Sequence, residues 1–154
     1  LHKGNAQDVK VKAIFEGLCD VSLGNTYYMG AMLDDPEQQV WANAVGIFFP
    51  NQRDRGTHMN VSGGALAKGA RHPAEALRLL EFLTGEEAQY LYAQANHEYP
   101  VRPGIGLSEI VRGFGREQPQ VHDGTFLQDS LELGRIGARR ADAIRLLDEV
   151  GFDQ

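Results

Sequence analysis

The stretch GLCDVSLGNTYYMGAML, residues 17–33, sets two tyrosines side by side, Tyr27 and Tyr28, where an apolar segment ends. Residues 20–25, DVSLGN, read as a short strand. Asn25 and Thr26 carry the short polar side chains that cap a first helical turn, so the chain from Tyr27 to Leu33 reads as a new helix. On a strand, neighbouring side chains point to opposite faces. Adjacent phenols converge only where the strand ends and the backbone turns, and the Asn-Thr pair provides such a turn. Two readings stay open on spacing alone. One is a strand-end aromatic pair, half packed and half wet. The other is a pair of phenolate ligands for a hard metal ion. An isolated phenol, with a pKa near 10, is a poor ligand at neutral pH. A trivalent cation changes that, because ligands bind deprotonated and the metal's charge drives the proton off. The same turn leaves backbone N–H groups where an anion could sit.

Working outward, residues 5–18 read as a helix capped by Asn5, with Val9, Ala13, Ile14 and Leu18 near one face. On the other side, Asp35 and Pro36 open a helix over 34–44. VGIFF, residues 45–49, is a continuous apolar run suited to a buried strand, and Pro50 stops it. THMNVS, residues 57–62, alternates weakly and reads as a strand. Gly63 and Gly64 allow a bend or a close backbone approach. Residues 72–96 read as two helices broken at Thr84 and Gly85. Leu79, Leu80, Phe82 and Leu83 give the first apolar stripe; Ala88, Leu91, Tyr92 and Ala95 give the second. Residues 97–106 are rich in Pro and Gly and read as loop. Residues 126–152 read as helical, broken near Gly134 or Gly137, with Leu131, Ile136, Ile144, Leu147 and Val150 as core positions. The rhythm is that of an α/β layer. Only about three strands are legible, against about five to six in an average sheet. The expectation is an incomplete sheet flanked by helices, completed by chain outside this sequence.

The 154 residues suffice for a domain with a real core, and the composition, 42% hydrophobic and 23% charged, is that of a globular protein. No signal peptide is visible, and no apolar run approaches the roughly 20 residues that span a bilayer. A net charge of −6 and a pI near 5.3 argue against a surface that tracks nucleic-acid phosphates. The single cysteine, Cys19, reads as a small buried apolar residue. His2, His58, His72, His97 and His122 are scattered, with no pair at helical ligand spacing. No zinc-protease, nucleophile-elbow or phosphate-loop string occurs, and SGGALAKGA (62–70) lacks the order of a phosphate loop. Asp34–Asp35 and Glu86–Glu87 read as helix-start charges that favour the dipole. Nothing marks a catalytic nucleophile, and an enzyme is not expected.

The 17–33 string resembles the iron site of the periplasmic ferric-iron-binding proteins, the substrate-binding components of bacterial ABC iron importers. The segment from VGIFFPNQRDRGTHMNVSGG through AQANHEYPV (45–101) and the ending LGRIGARRADAIRLLDEVGF (133–152) are similar to that family too, in family order. The resemblance runs from about Asn5 to Phe152 and covers only the C-terminal half of a full member. It implies a partial type II periplasmic-binding-protein fold, in which ligand sits in a cleft between two lobes. It also implies that Tyr27 and Tyr28 are phenolate ligands to Fe(III), and that Asn25 helps hold a synergistic anion. By the same resemblance, residues 1–57 belong to the second lobe. Residues 58–108 cross the hinge to a helical segment of the first lobe. Residues 109–154 return to the second lobe as C-terminal helices. The implied partners are ferric iron, the permease of an ABC importer, and either the missing N-terminal half or a second copy of the chain in a swapped dimer. Gly63–Gly64 would then serve as the hinge of the exchange. The implied setting is the periplasm. Rival readings are a type II binding protein for another small anion or organic acid, and a truncated structural or dimerising module without metal.

Overall fold

A computed structural model describes residues 6–151, and the capping role assigned to Asn5 lies outside the described residues. Eight helices are described, and no strand is formed among the described residues. The first three are α1 (Ala6–Phe15), α2 (Thr26–Asp34) and α3 (Gln39–Ala42), which pack on one another. Then come α4 (Pro73–Leu83) and α5 (Glu86–Ala95), paired across Thr84 and Gly85 as the sequence suggested. A short α6 (Glu109–Arg112) touches α2. The last two, α7 (Leu133–Ala138) and α8 (Arg140–Glu149), contact each other and no other described element.

The core is built from two distant stretches of chain. Met29, Met32, Ala42 and Phe49 come from the first third; Val111 of α6 and Phe114, Val121 and Phe126 after it supply the rest. Phe49 stacks on Phe126 with ring centres 4.1 Å apart, and Tyr99 meets Phe126 edge-on at 5.2 Å. Such ring pairs add to the burial of apolar area that dominates folding.

The three expected strands are extended segments without ladders. Residues 20–25 pair with nothing as a strand, and 57–62 makes a single parallel bridge, between Thr57 and Gln128. The 45–49 run is packed on one side only. Val45 and Ile47 are half-buried and Phe49 is buried, whereas Gly46 is exposed and Phe48 is 74% exposed. This is period-two alternation, the signature of a strand with one covered face. A wholly apolar sequence had suggested two.

Glutamine side chains satisfy backbone groups that a ladder would otherwise pair. Gln118, itself buried, accepts from Phe49 N–H at 2.6 Å and donates to Phe49 C=O at 2.8 Å. Gln52 accepts from Leu127 N–H at 2.7 Å and donates to Leu127 C=O at 2.9 Å. Gln89 accepts from Val101 N–H at 2.8 Å and donates to Leu83 C=O at 2.8 Å. A carboxamide has the donor and acceptor of a peptide group, so Gln118 and Gln52 each substitute for one residue of a neighbouring strand, while Gln89 ties the end of α4 to Val101.

Other expectations need correction. Residues 126–132 are extended, and the break in the last helical region falls at Arg139 rather than at Gly134 or Gly137. Its five proposed core positions are exposed: Leu131 39%, Ile136 37%, Ile144 49%, Leu147 45% and Val150 65%. Leu18 and Cys19 are exposed, as are Leu79, Phe82 and Leu91. All but Cys19 have the spacing of a buried face, yet the described residues leave them exposed. Burial needs a partner surface, and periodicity reports only the face that would use one.

Candidate functional site

α2 begins at Thr26, so both tyrosines lie in its first turn. Asn25 holds an extended backbone, φ −80° and ψ 141°, and the chain turns into the helix after it. Consecutive helical residues are separated by about 100° around the axis, not the 180° of a strand. The rings of Tyr27 and Tyr28 therefore fall on the same side, with centres 4.3 Å apart and planes inclined by 38°. Both are half-buried, and Tyr28 packs against the core. The turn that the Asn-Thr pair was expected to make is present, but Asn25 makes no side-chain cap bond. Its carboxamide is turned instead toward Tyr27, donating to the phenol oxygen at 3.4 Å. Its carbonyl oxygen accepts from the Asn60 side-chain amide at 2.9 Å.

α2 is seated by two features remote in sequence. Gly30 faces His97 with no room for a side chain, since a Cβ there would overlap the His97 side chain. His97 is buried, takes a left-handed backbone with φ 57°, and its Nδ1 lies 3.1 Å from the Ser108 hydroxyl. Its Nε2 lies 3.9 Å from Asp34 at the far end of α2. Ser108 in turn caps α6 by accepting from Val111 N–H. The middle and far end of α2 are thus held toward α6 through a glycine-sized gap filled by His97.

The chain brings together Asn25, Tyr27 and Tyr28, the three residues singled out from the sequence. It adds Asn60, 35 positions away, which no spacing rule connects to them. The scattered histidines and acids form no group of three or more able to hold a metal ion among the described residues. Two open depressions, of about 540 and 420 Å³, are lined by Glu86, Glu87, Tyr90 and Gly104–Gly106, and by Arg55, Asp129–Glu132 and Arg135; the tyrosine pair lines neither. No described helix is long and apolar enough to cross a membrane. Chemically, the site offers two phenol oxygens that a bound metal ion could deprotonate, with the Asn25 amide beside one of them. That donor set suits a hard, highly charged cation.

No family model matches the chain. It is 41% identical over 145 residues to iron uptake protein A1 of Synechocystis sp., covering 93% of this chain and 38% of that protein. The structure superposes on apo ferric ion-binding protein A of Pasteurella haemolytica with a TM-score of 0.85 at 46% identity, covering 98% of this chain and 44% of that one. A Trichodesmium protein in complex with iron and citrate ligands is similar with a TM-score of 0.83 at 38% identity, covering 98% and 45%. The chain spans about two fifths of the length of the relatives it matches. Its architecture is a partial type II periplasmic-binding-protein fold.

Proposed function

We propose, from the premise that the chain belongs to the ferric-iron-binding protein family and spans a part of it, that Tyr27 and Tyr28 supply two phenolate ligands to Fe(III). The observation that carries this is the convergence of the two rings at the start of α2, 4.3 Å apart. Two ligands are a fraction of a coordination shell, and the remainder would come from outside the chain. Asn25, with its amide beside Tyr27, is the residue we assign to a synergistic anion, at the N-terminal end of α2 where the helix dipole favours negative charge. The citrate bound with iron in the Trichodesmium relative supports an anion of that kind.

The whole protein would capture Fe(III) in the periplasm and deliver it to the permease of an ABC importer. It would act by binding and lobe closure, with no covalent chemistry. We read the chain as the C-terminal part of such a protein. Residues 1–57 and 109–154 would lie in one lobe, and 58–108 would reach the other. The shared core of Met29, Met32, Ala42 and Phe49 with Val111, Phe114, Val121 and Phe126 supports the joining of the first and last segments. The apolar side chains left exposed on Val21, Leu23, Phe48 and the last helices support completion by an N-terminal half or a second copy.

Fe(III) bound by phenolate absorbs visible light, so the loaded protein should be coloured. Tyr27→Phe and Tyr28→Phe should each weaken that band and the affinity. Unchanged colour and affinity in both variants would remove the assignment.

A further inference from the structure

We propose that Asn60 is a positioning residue for the metal-binding phenol of Tyr27, acting through Asn25; this rests on the iron-site reading above. The segment carrying Asn60 is anchored twice. Thr57 donates its N–H to Leu127 C=O at 2.8 Å and accepts from Asp129 N–H at 2.9 Å. Met59 is half-buried and packs on the core. On extended chain the next side chain points the opposite way, so Asn60 emerges on the outer side. There its amide nitrogen donates to Asn25 Oδ1 at 2.9 Å.

With the Asn60 amide nitrogen facing Asn25, that bond goes with one orientation of the Asn25 carboxamide. With Oδ1 occupied by Asn60, Nδ2 is the end presented to the Tyr27 oxygen, 3.4 Å away. The direction matters once Tyr27 has lost its proton to a metal. A phenolate oxygen has lone pairs and nothing to donate, so it is stabilised by an N–H and repelled by a carbonyl oxygen. Asn60 lies in a segment far from the tyrosines in sequence, so the device couples the placement of residues 57–62 to the quality of one iron ligand.

The test compares Asn60→Ala with Asn60→Asp in the full chain, with Fe(III) supplied as its nitrilotriacetate chelate. Alanine frees the Asn25 amide to rotate and should weaken Fe(III) binding about tenfold, the effect of one hydrogen bond to a charged oxygen. Aspartate accepts only, so it would draw Asn25 Nδ2 to itself and turn Oδ1 toward Tyr27. It should bind Fe(III) more weakly than alanine and shift the visible band further, although it adds a negative charge near a cation. Thermal stability of the two variants should be alike, because position 60 is exposed. In the metal-free chain, the side-chain amide signals of Asn25 in nuclear magnetic resonance should move on Tyr27→Phe and on Asn60→Asp. Aspartate binding Fe(III) as tightly as alanine or more so, or unmoved Asn25 signals, overturns the proposal. Tyr27→Phe separates the levels: if it abolishes the band while both Asn60 variants match wild type, the iron site stands and the role of Asn60 falls; if it leaves band and affinity intact, both fall.

Discussion

The side chain of His97 fills the space that any side chain at Gly30 would need, and by doing so it locks the helix that begins with the tyrosine pair. Gly30→Ala should therefore destabilise the protein by about 1–3 kcal/mol, the usual cost of forcing a methyl group into a filled space. Adding His97→Gly, which removes the Cβ as well as the ring, should recover part of the loss, since the overlap disappears. Denaturant melts of the two single variants and the double variant form a cycle that measures the coupling. Strictly additive losses would show that the two residues do not press on each other.

Gln118 makes both of its bonds to Phe49 inside the core. Gln118→Ala strands a buried N–H and a buried C=O and should cost about 2–4 kcal/mol. Gln52 makes the same pair of bonds to Leu127, but at an exposed position. Gln52→Ala should cost about 1 kcal/mol or less, because water replaces the lost partners. Chemical denaturation gives both values, and equal costs would contradict the burial argument.

Burial pushes the Tyr99 phenol well above its ordinary value near 10. Its hydroxyl donates to Gly124 C=O at 2.8 Å. In the unfolded chain that proton leaves near pH 10, while the folded chain keeps it. Above this pH the unfolded state binds fewer protons, so the contribution of Tyr99 to stability is complete below about pH 10 and falls as pH rises further. Tyr99→Phe should be less stable at neutral pH through the lost bond to Gly124. Its stability should also decline less steeply than wild type between about pH 10 and 12. Parallel slopes would show that Tyr99 ionises with equal ease in both states.

Leu147 is 45% exposed on α8, which packs on nothing but α7 among the described elements. In the chain by itself, Leu147→Ala should change stability by no more than about 0.5 kcal/mol. With a completing partner bound, the same change should cost about 2–5 kcal/mol, as for a buried leucine. The purified chain should associate with rising concentration in light scattering, and a strictly monomeric chain at micromolar concentration would count against completion by a second copy.

Most helices were legible because their signals are local. Thr84 and Gly85 divide α4 from α5 through the chemistry of their own backbone, and the turn at Asn25 and Thr26 starts α2 where the sequence placed it. The proximity of Tyr27 and Tyr28 follows from adjacency once that turn exists. Tertiary structure decided the rest. The VGIFF run identified apolar residues, but its covered side depended on which chain lay against it, and only Val45, Ile47 and Phe49 found neighbours. The periodicity of α8 likewise marked a face without supplying the surface that would cover it. The bonds from Gln118 to Phe49 and from Asn60 to Asn25 join residues 69 and 35 positions apart. A local pattern carries no information about such a meeting, because the contact forms only when the intervening chain folds back and removes both partners from other choices.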